Sequence, residues 1–152
     1  MTATTEFTSP LTLGDRPIRA AAVYCSDGRF APHFEAFLDH ALGPLLCDRL
    51  AVPGGPASLG GRSGIPEESR GIREQLAFLV RAHAVERVIL IAHEPCAFYR
   101  ERLGIPDEAQ GPRQAEDLVE AARFVATLAP LQVDLHTAQV VGGGVRVRPV
   151  AP

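Results

Sequence analysis

Arg87-Val88-Ile89-Leu90-Ile91-Ala92 runs directly into His93-Glu94-Pro95-Cys96. A short aliphatic, β-branched run with polar ends predicts a strand buried on both faces. It is the clearest strand in the chain, and its C-terminal end delivers His93. Upstream, residues 67–83 predict a helix with Ile72, Leu76, Leu79 and Val80 on one side. A Gly/Pro/Ser-rich loop, Pro53 to Pro66, precedes it, and residues 45–52 form the strand before that loop. Phe34, Phe37, Leu38, Ala41 and Leu42 recur at offsets of three, four, seven and eight, one face of a helix that Gly43-Pro44 stops. Earlier still, the mostly apolar run Ile18 to Cys25 is another buried strand, opening into Ser26-Asp27-Gly28-Arg29. Downstream of Cys96 an irregular segment leads to a helix over 114–128 with Leu118, Ala122, Val125 and Leu128 inward. A strand over 133–141 follows, then Gly142-Gly143-Gly144 and the alternating edge strand Val145-Arg146-Val147-Arg148.

Strands alternating with helices of this length predict an α/β fold. The expected sheet is mainly parallel, of about four strands, with helices on both faces and an antiparallel edge strand at the C-terminus. Residues 1–16, polar and punctuated by proline, are expected to be a flexible N-terminal arm, and 17–152 one domain. Ligands of such sheets bind beyond the carboxyl ends of the strands. Cys25 and the His93–Cys96 pair both fall at that edge, which lets residues far apart in sequence meet.

The chain has 152 residues, 46% hydrophobic and 22% charged, with a formal net charge of −3. That composition suits one ordinary globular domain and gives no electrostatic footprint for nucleic acid or an anionic membrane surface. No apolar stretch approaches the roughly 18 residues of a membrane span, and the N-terminus does not read as a secretory signal, so a cytoplasmic location is expected. Three cysteines in a reducing compartment point to metal or catalytic use rather than to disulfides. Every basic side chain is arginine, which excludes lysine chemistry.

Two thiolates and an imidazole, from Cys25, His93 and Cys96, match zinc in softness and number, and three protein ligands leave a fourth position open. The bland alternative for either cysteine alone is a small buried hydrophobe. The pairing of the two motifs, each at the C-terminal end of a predicted parallel strand, favours metal binding. Cys47 lacks a ligand-spaced partner and is expected in the core. His33, His40, His83 and His136 are expected to be surface or core histidines. Gly55 to Arg62 mimics a phosphate loop, but Gly61-Arg62 stands where Lys-Ser/Thr is required.

The pairing of Cys25-Ser-Asp27-Gly-Arg29 with His93-Glu-Pro-Cys96 resembles the β-class carbonic anhydrases, with a layout similar from about residue 18 to 148. The resemblance implies one Zn²⁺ per chain on Cys25, His93 and Cys96. It implies that Asp27 accepts a hydrogen bond from zinc-bound hydroxide, or ligates zinc in a resting form, and that Arg29 holds Asp27 off the metal. It further implies reversible hydration of carbon dioxide to bicarbonate and a homodimer or higher homo-oligomer. Two thiolates neutralise the charge of zinc, so the implied activity rises above pH about 7. The chain departs from the family at Gly28, at Ala97 and at Val52-Pro53-Gly54-Gly55, positions that bear on the cleft and the dimer contacts. Two alternatives follow from those departures: hydrolysis of carbonyl sulfide or carbon disulfide at the same site, and a non-catalytic zinc-binding protein.

Overall fold

The computed structural model describes residues 5–152. Five strands form one sheet: β1 (Ile18–Cys25), β2 (Leu46–Val52), β3 (Arg87–Glu94), β4 (Gln132–Val141) and β5 (Gly144–Pro149). Their spatial order is β2-β1-β3-β4-β5. The first four are mutually parallel, and β5 returns antiparallel along β4. This is the expected α/β arrangement, with the antiparallel strand at the C-terminal edge.

Three helices connect the parallel strands: α1 (Ala31–Leu42), α2 (Pro66–Ala82) and α3 (Gln110–Ala126). The connection from β1 to β2 runs one way along the sheet, whereas those from β2 to β3 and from β3 to β4 run the other way. Crossovers of one hand therefore place α1 on one face and α2 with α3 on the opposite face. The core divides accordingly. Ala20, Ala22 and Tyr24 of β1 with Ile89 and Ile91 of β3 pack on Phe34, Leu38 and Leu42 of α1. Ala21, Val23, Val88 and Leu90 point the other way, toward Leu76, Val80, Leu118, Ala121 and Val125 of α2 and α3. This strict alternation, with both faces covered, is why β1 and β3 read as continuous apolar runs. Cys47 lies in the core under α1, and burial pushes its thiol up to about 11.

α1 is tied down by Glu35, which accepts the Tyr24 hydroxyl at 2.7 Å and the Arg49 guanidinium at 2.6 Å. Gly43 caps its end at φ 59°, in the left-handed region that glycine adopts without steric cost. α3 begins at Gln110, four residues before the start read from sequence. Gly111-Pro112 resembles a break, but both residues lie in the first turn, where proline's missing N–H has no helical acceptor to lose.

Residues 1–4 of the expected arm lie outside the described residues. Residues 5–17 form neither helix nor strand and are exposed, and Arg16 donates to the Pro44 carbonyl at 2.9 Å. Among the described residues no helix is long and apolar enough to cross a membrane.

Candidate metal centre

Strand order reverses between β1 and β3, the topological switch point at which α/β sheets open a crevice. Tyr24 of β1 pairs with Ile91 of β3, so the two strands deliver Cys25 and His93 side by side at that crevice. The chain then leaves β3 and brings Cys96 back against Cys25, Sγ to Sγ at 3.9 Å. The two sulfurs and a ring nitrogen of His93 all lie within 4.8 Å of one another.

Three observations bear on what this cluster can hold. Two thiolates on one tetrahedral zinc, each about 2.3 Å from the metal, stand about 3.8 Å apart, and the observed sulfur separation matches that edge. His93 is 2% exposed, yet among the described residues neither ring nitrogen has a hydrogen-bond partner. A buried polar group left unpaired costs about 1–3 kcal/mol, so the imidazole is placed at a cost that a ligated cation would offset. The ring is held in that place by Phe30, 4.2 Å away between centroids, and by Phe34 at 6.1 Å. The Cys25 thiol is also held low, chiefly by the hydrogen bond from Cys96, with burial opposing and His93 adding to the effect. Cys96 is pushed up, first by that same hydrogen bond and then by burial. The sulfur spacing and the unpartnered imidazole fit a soft dication, which would displace the proton that the two thiols share in its absence.

Asp27 and Arg29 stand beside the cluster on the loop that leaves β1. Arg29 grips both carboxylate oxygens, Nε to Oδ1 at 3.1 Å and Nη2 to Oδ2 at 2.7 Å, and its backbone N–H adds a third bond at 2.9 Å. This fork holds the Asp27 carboxyl down to about 2. Asp27 is thus ionised, oriented and occupied. A cleft of about 360 Å³ opens here, lined by Cys25, Asp27, Pro53, Ala97, Phe98 and Arg102. A larger cavity, about 460 Å³, lies on the far side of Glu94 among Gln114, Thr137, Gln139 and Arg148. It contains no thiol or imidazole, so the metal-type chemistry lies in the smaller cleft.

Gly54 and Gly55 stand in the sequence reading only as part of the altered 52–55 segment of the cleft, and Gln110 and Gln114 have no site role there, yet all four help to build this centre. Gly54 and Gly55, at φ 77° and 52°, bring the β2–α2 loop down on β1 and Phe98. A Cβ on Gly55 would lie 2.8 Å from the Cys25 backbone nitrogen, and one on Gly54 would lie 2.5 Å from the Phe98 ring. The string that mimics a phosphate loop opens with a buried helical turn, Gly55–Ser58, and leaves Gly61 exposed. Gln110 and Gln114, both buried, bond the backbone of Cys96 and His93. His136 packs on Phe37 and His83 bonds Asp48, both away from the cluster.

Comparison with protein-family models and with curated protein sequences finds no match. Solved structures do match. A carbonic anhydrase from Glaciozyma antarctica superposes with a TM-score of 0.60 at 18% identity, over 92% of this chain and 86% of that one. A carbonic anhydrase from Streptococcus mutans gives 0.56 at 18% identity, over 94% and 88%. The β-carbonic anhydrase of the fungal pathogen Aspergillus fumigatus gives 0.53 at 18% identity, over 90% and 78%. This chain has the β-carbonic anhydrase fold. At that identity the likeness is one of architecture. Within the β-carbonic anhydrase fold, the cluster of two cysteines and a histidine sits at the switch point of the sheet.

Proposed function

We propose that the chain is a zinc lyase that hydrates carbon dioxide reversibly to bicarbonate, with Cys25, His93 and Cys96 as the ligands. The observation that carries this is the buried imidazole with two unpartnered nitrogens beside a thiol pair at tetrahedral spacing. Zinc bound there would act as a Lewis acid that makes water a nucleophile near neutral pH.

The chain's own residues do the rest. Asp27, ionised and fixed by Arg29, accepts a hydrogen bond at the cleft wall and orients the attacking oxygen. Arg29 occupies both Asp27 oxygens and so keeps the carboxylate from competing for the metal. Phe98, Pro53 and Ala97 give the cleft a mainly apolar wall, which suits a small neutral substrate. The same wall favours a second reading, hydrolysis of carbonyl sulfide or carbon disulfide.

Stopped-flow carbon dioxide hydration at pH about 7 and about 9, bracketing the expected ionisation of water on zinc, tests the first reading. The zinc-loaded protein is expected to be faster at the higher pH. Asp27→Asn should retain zinc and lose about 100-fold or more in rate, the scale of a lost proton-handling group. Hydrogen sulfide release from carbonyl sulfide without carbon dioxide hydration would move the assignment to the second reading. Absence of both reactions from fully zinc-loaded protein would remove both readings.

A further inference from the structure

The buried face of α3 changes character along its length. Leu118, Ala121 and Val125 pack on the sheet, as a helix face over a sheet does. In the preceding turns the same face carries Gln110, Gln114 and Asp117, exposed by only 0%, 2% and 1%. Burying an amide without partners costs about 1–3 kcal/mol; among the described residues Gln114 Oε1 has none, Gln110 Nε2 also donates to the Ile105 carbonyl and the Asp107 carboxylate, and the remaining amide partners include the backbone of His93 and Cys96. Gln114 Nε2 donates to the His93 carbonyl at 2.8 Å. Gln110 Oε1 accepts the Cys96 N–H at 2.8 Å while its Nε2 donates to the Cys96 carbonyl at 3.2 Å. Gln114 Nε2 also reaches Gln110 Oε1 at 3.4 Å. Asp117 accepts the Tyr99 hydroxyl at 2.8 Å.

The location of these bonds gives them a specific consequence. Pairing of β3 with β4 ends at Glu94 opposite Gln139. Cys96 therefore lies beyond the sheet's hydrogen-bond ladder, and the Gln110 amide supplies the donor and acceptor that a neighbouring strand would have supplied. We infer that Gln110 and Gln114 are positioning residues for the metal centre, fixing the His93–Cys96 backbone so that imidazole and thiol arrive together opposite Cys25. The inference rests on the reading of Cys25, His93 and Cys96 as ligands. Groups that orient ligands from behind are worth about 10–100-fold in metal affinity.

The test compares Gln110→Met and Gln114→Met, which keep volume and remove the amide, with Tyr99→Phe. The Tyr99→Phe variant loses a buried hydrogen bond to the same helix while leaving the His93 and Cys96 backbone bonds intact. Zinc affinity is measured by competition with a chromophoric chelator, ligand geometry by the absorption spectrum of the cobalt(II) form, and stability by melting of the metal-free proteins. Each glutamine variant is expected to bind zinc about 10–100-fold more weakly and to show an altered cobalt spectrum. Tyr99→Phe is expected to melt lower with wild-type affinity and spectrum. Glutamine variants that bind zinc as the wild type does and only melt lower would overturn the inference alone. A wild-type protein that takes up neither metal would overturn the ligand reading and the inference with it.

Discussion

Gly55 has no room for a side chain. Its φ of 52° lies in the left-handed region, and an added Cβ would lie 2.8 Å from backbone atoms of both Tyr24 and Cys25. Gly55→Ala would therefore pay about 1–2 kcal/mol for the backbone conformation and about 1–3 kcal/mol for overpacking against atoms that cannot swing away. Urea unfolding should show a loss of about 2–5 kcal/mol, the sum of those two effects, with zinc content falling because Cys25 is displaced. A loss under about 0.5 kcal/mol, the scale of a neutral surface change, would show that the loop does not bear on Cys25. The requirement for glycine here was not legible in the sequence, since it arises from a loop landing on a strand distant along the chain. The cysteines and His93 were legible as candidates, because soft ligands at the ends of buried strands are unusual outside a site.

At the scale of elements, α1 and β1 share a titratable contact. The Tyr24 phenol is pushed up to about 12, first by burial and then by its hydrogen bond to Glu35. Tyr99, the other of the two tyrosines, is also pushed up, by burial and the Asp117 carboxylate. A phenol ionises near pH 10 in the unfolded chain. Its raised folded value means that this stability is fully present below pH about 10 and is lost as pH rises toward about 12. Phenolate absorbance followed through that range should therefore appear late and together with the loss of helical circular dichroism. Phenolate forming near pH 10 in a still-folded protein would contradict the packing of Tyr24 and Tyr99. The elements themselves were largely readable: β1 and β3 by their apolar runs, α1 and α2 by helical spacing. The first turn of α3 was not, because Gly111-Pro112 carries a breaker's signature in a position where a breaker is harmless. A cue to its buried polar stripe was present, since 110, 114, 117, 118, 121 and 125 fall on one helical face.

The whole molecule gains its site from chain topology. Reversal of strand order between β1 and β3 opens the crevice, and the parallel direction of both strands puts Cys25 and His93 at the same edge. The sequence resemblance implies a homodimer. Sedimentation equilibrium is expected to give twice the chain mass, and a monomer at all concentrations would remove the dimer. The central claim, a zinc ion held by Cys25, His93 and Cys96, is tested most directly by X-ray absorption at the zinc edge of protein purified without a tag or chelator. Two sulfur scatterers at about 2.3 Å and nitrogen or oxygen scatterers at about 2.0–2.1 Å are expected. A zinc edge too weak for stoichiometric metal, or a shell without sulfur, would contradict it.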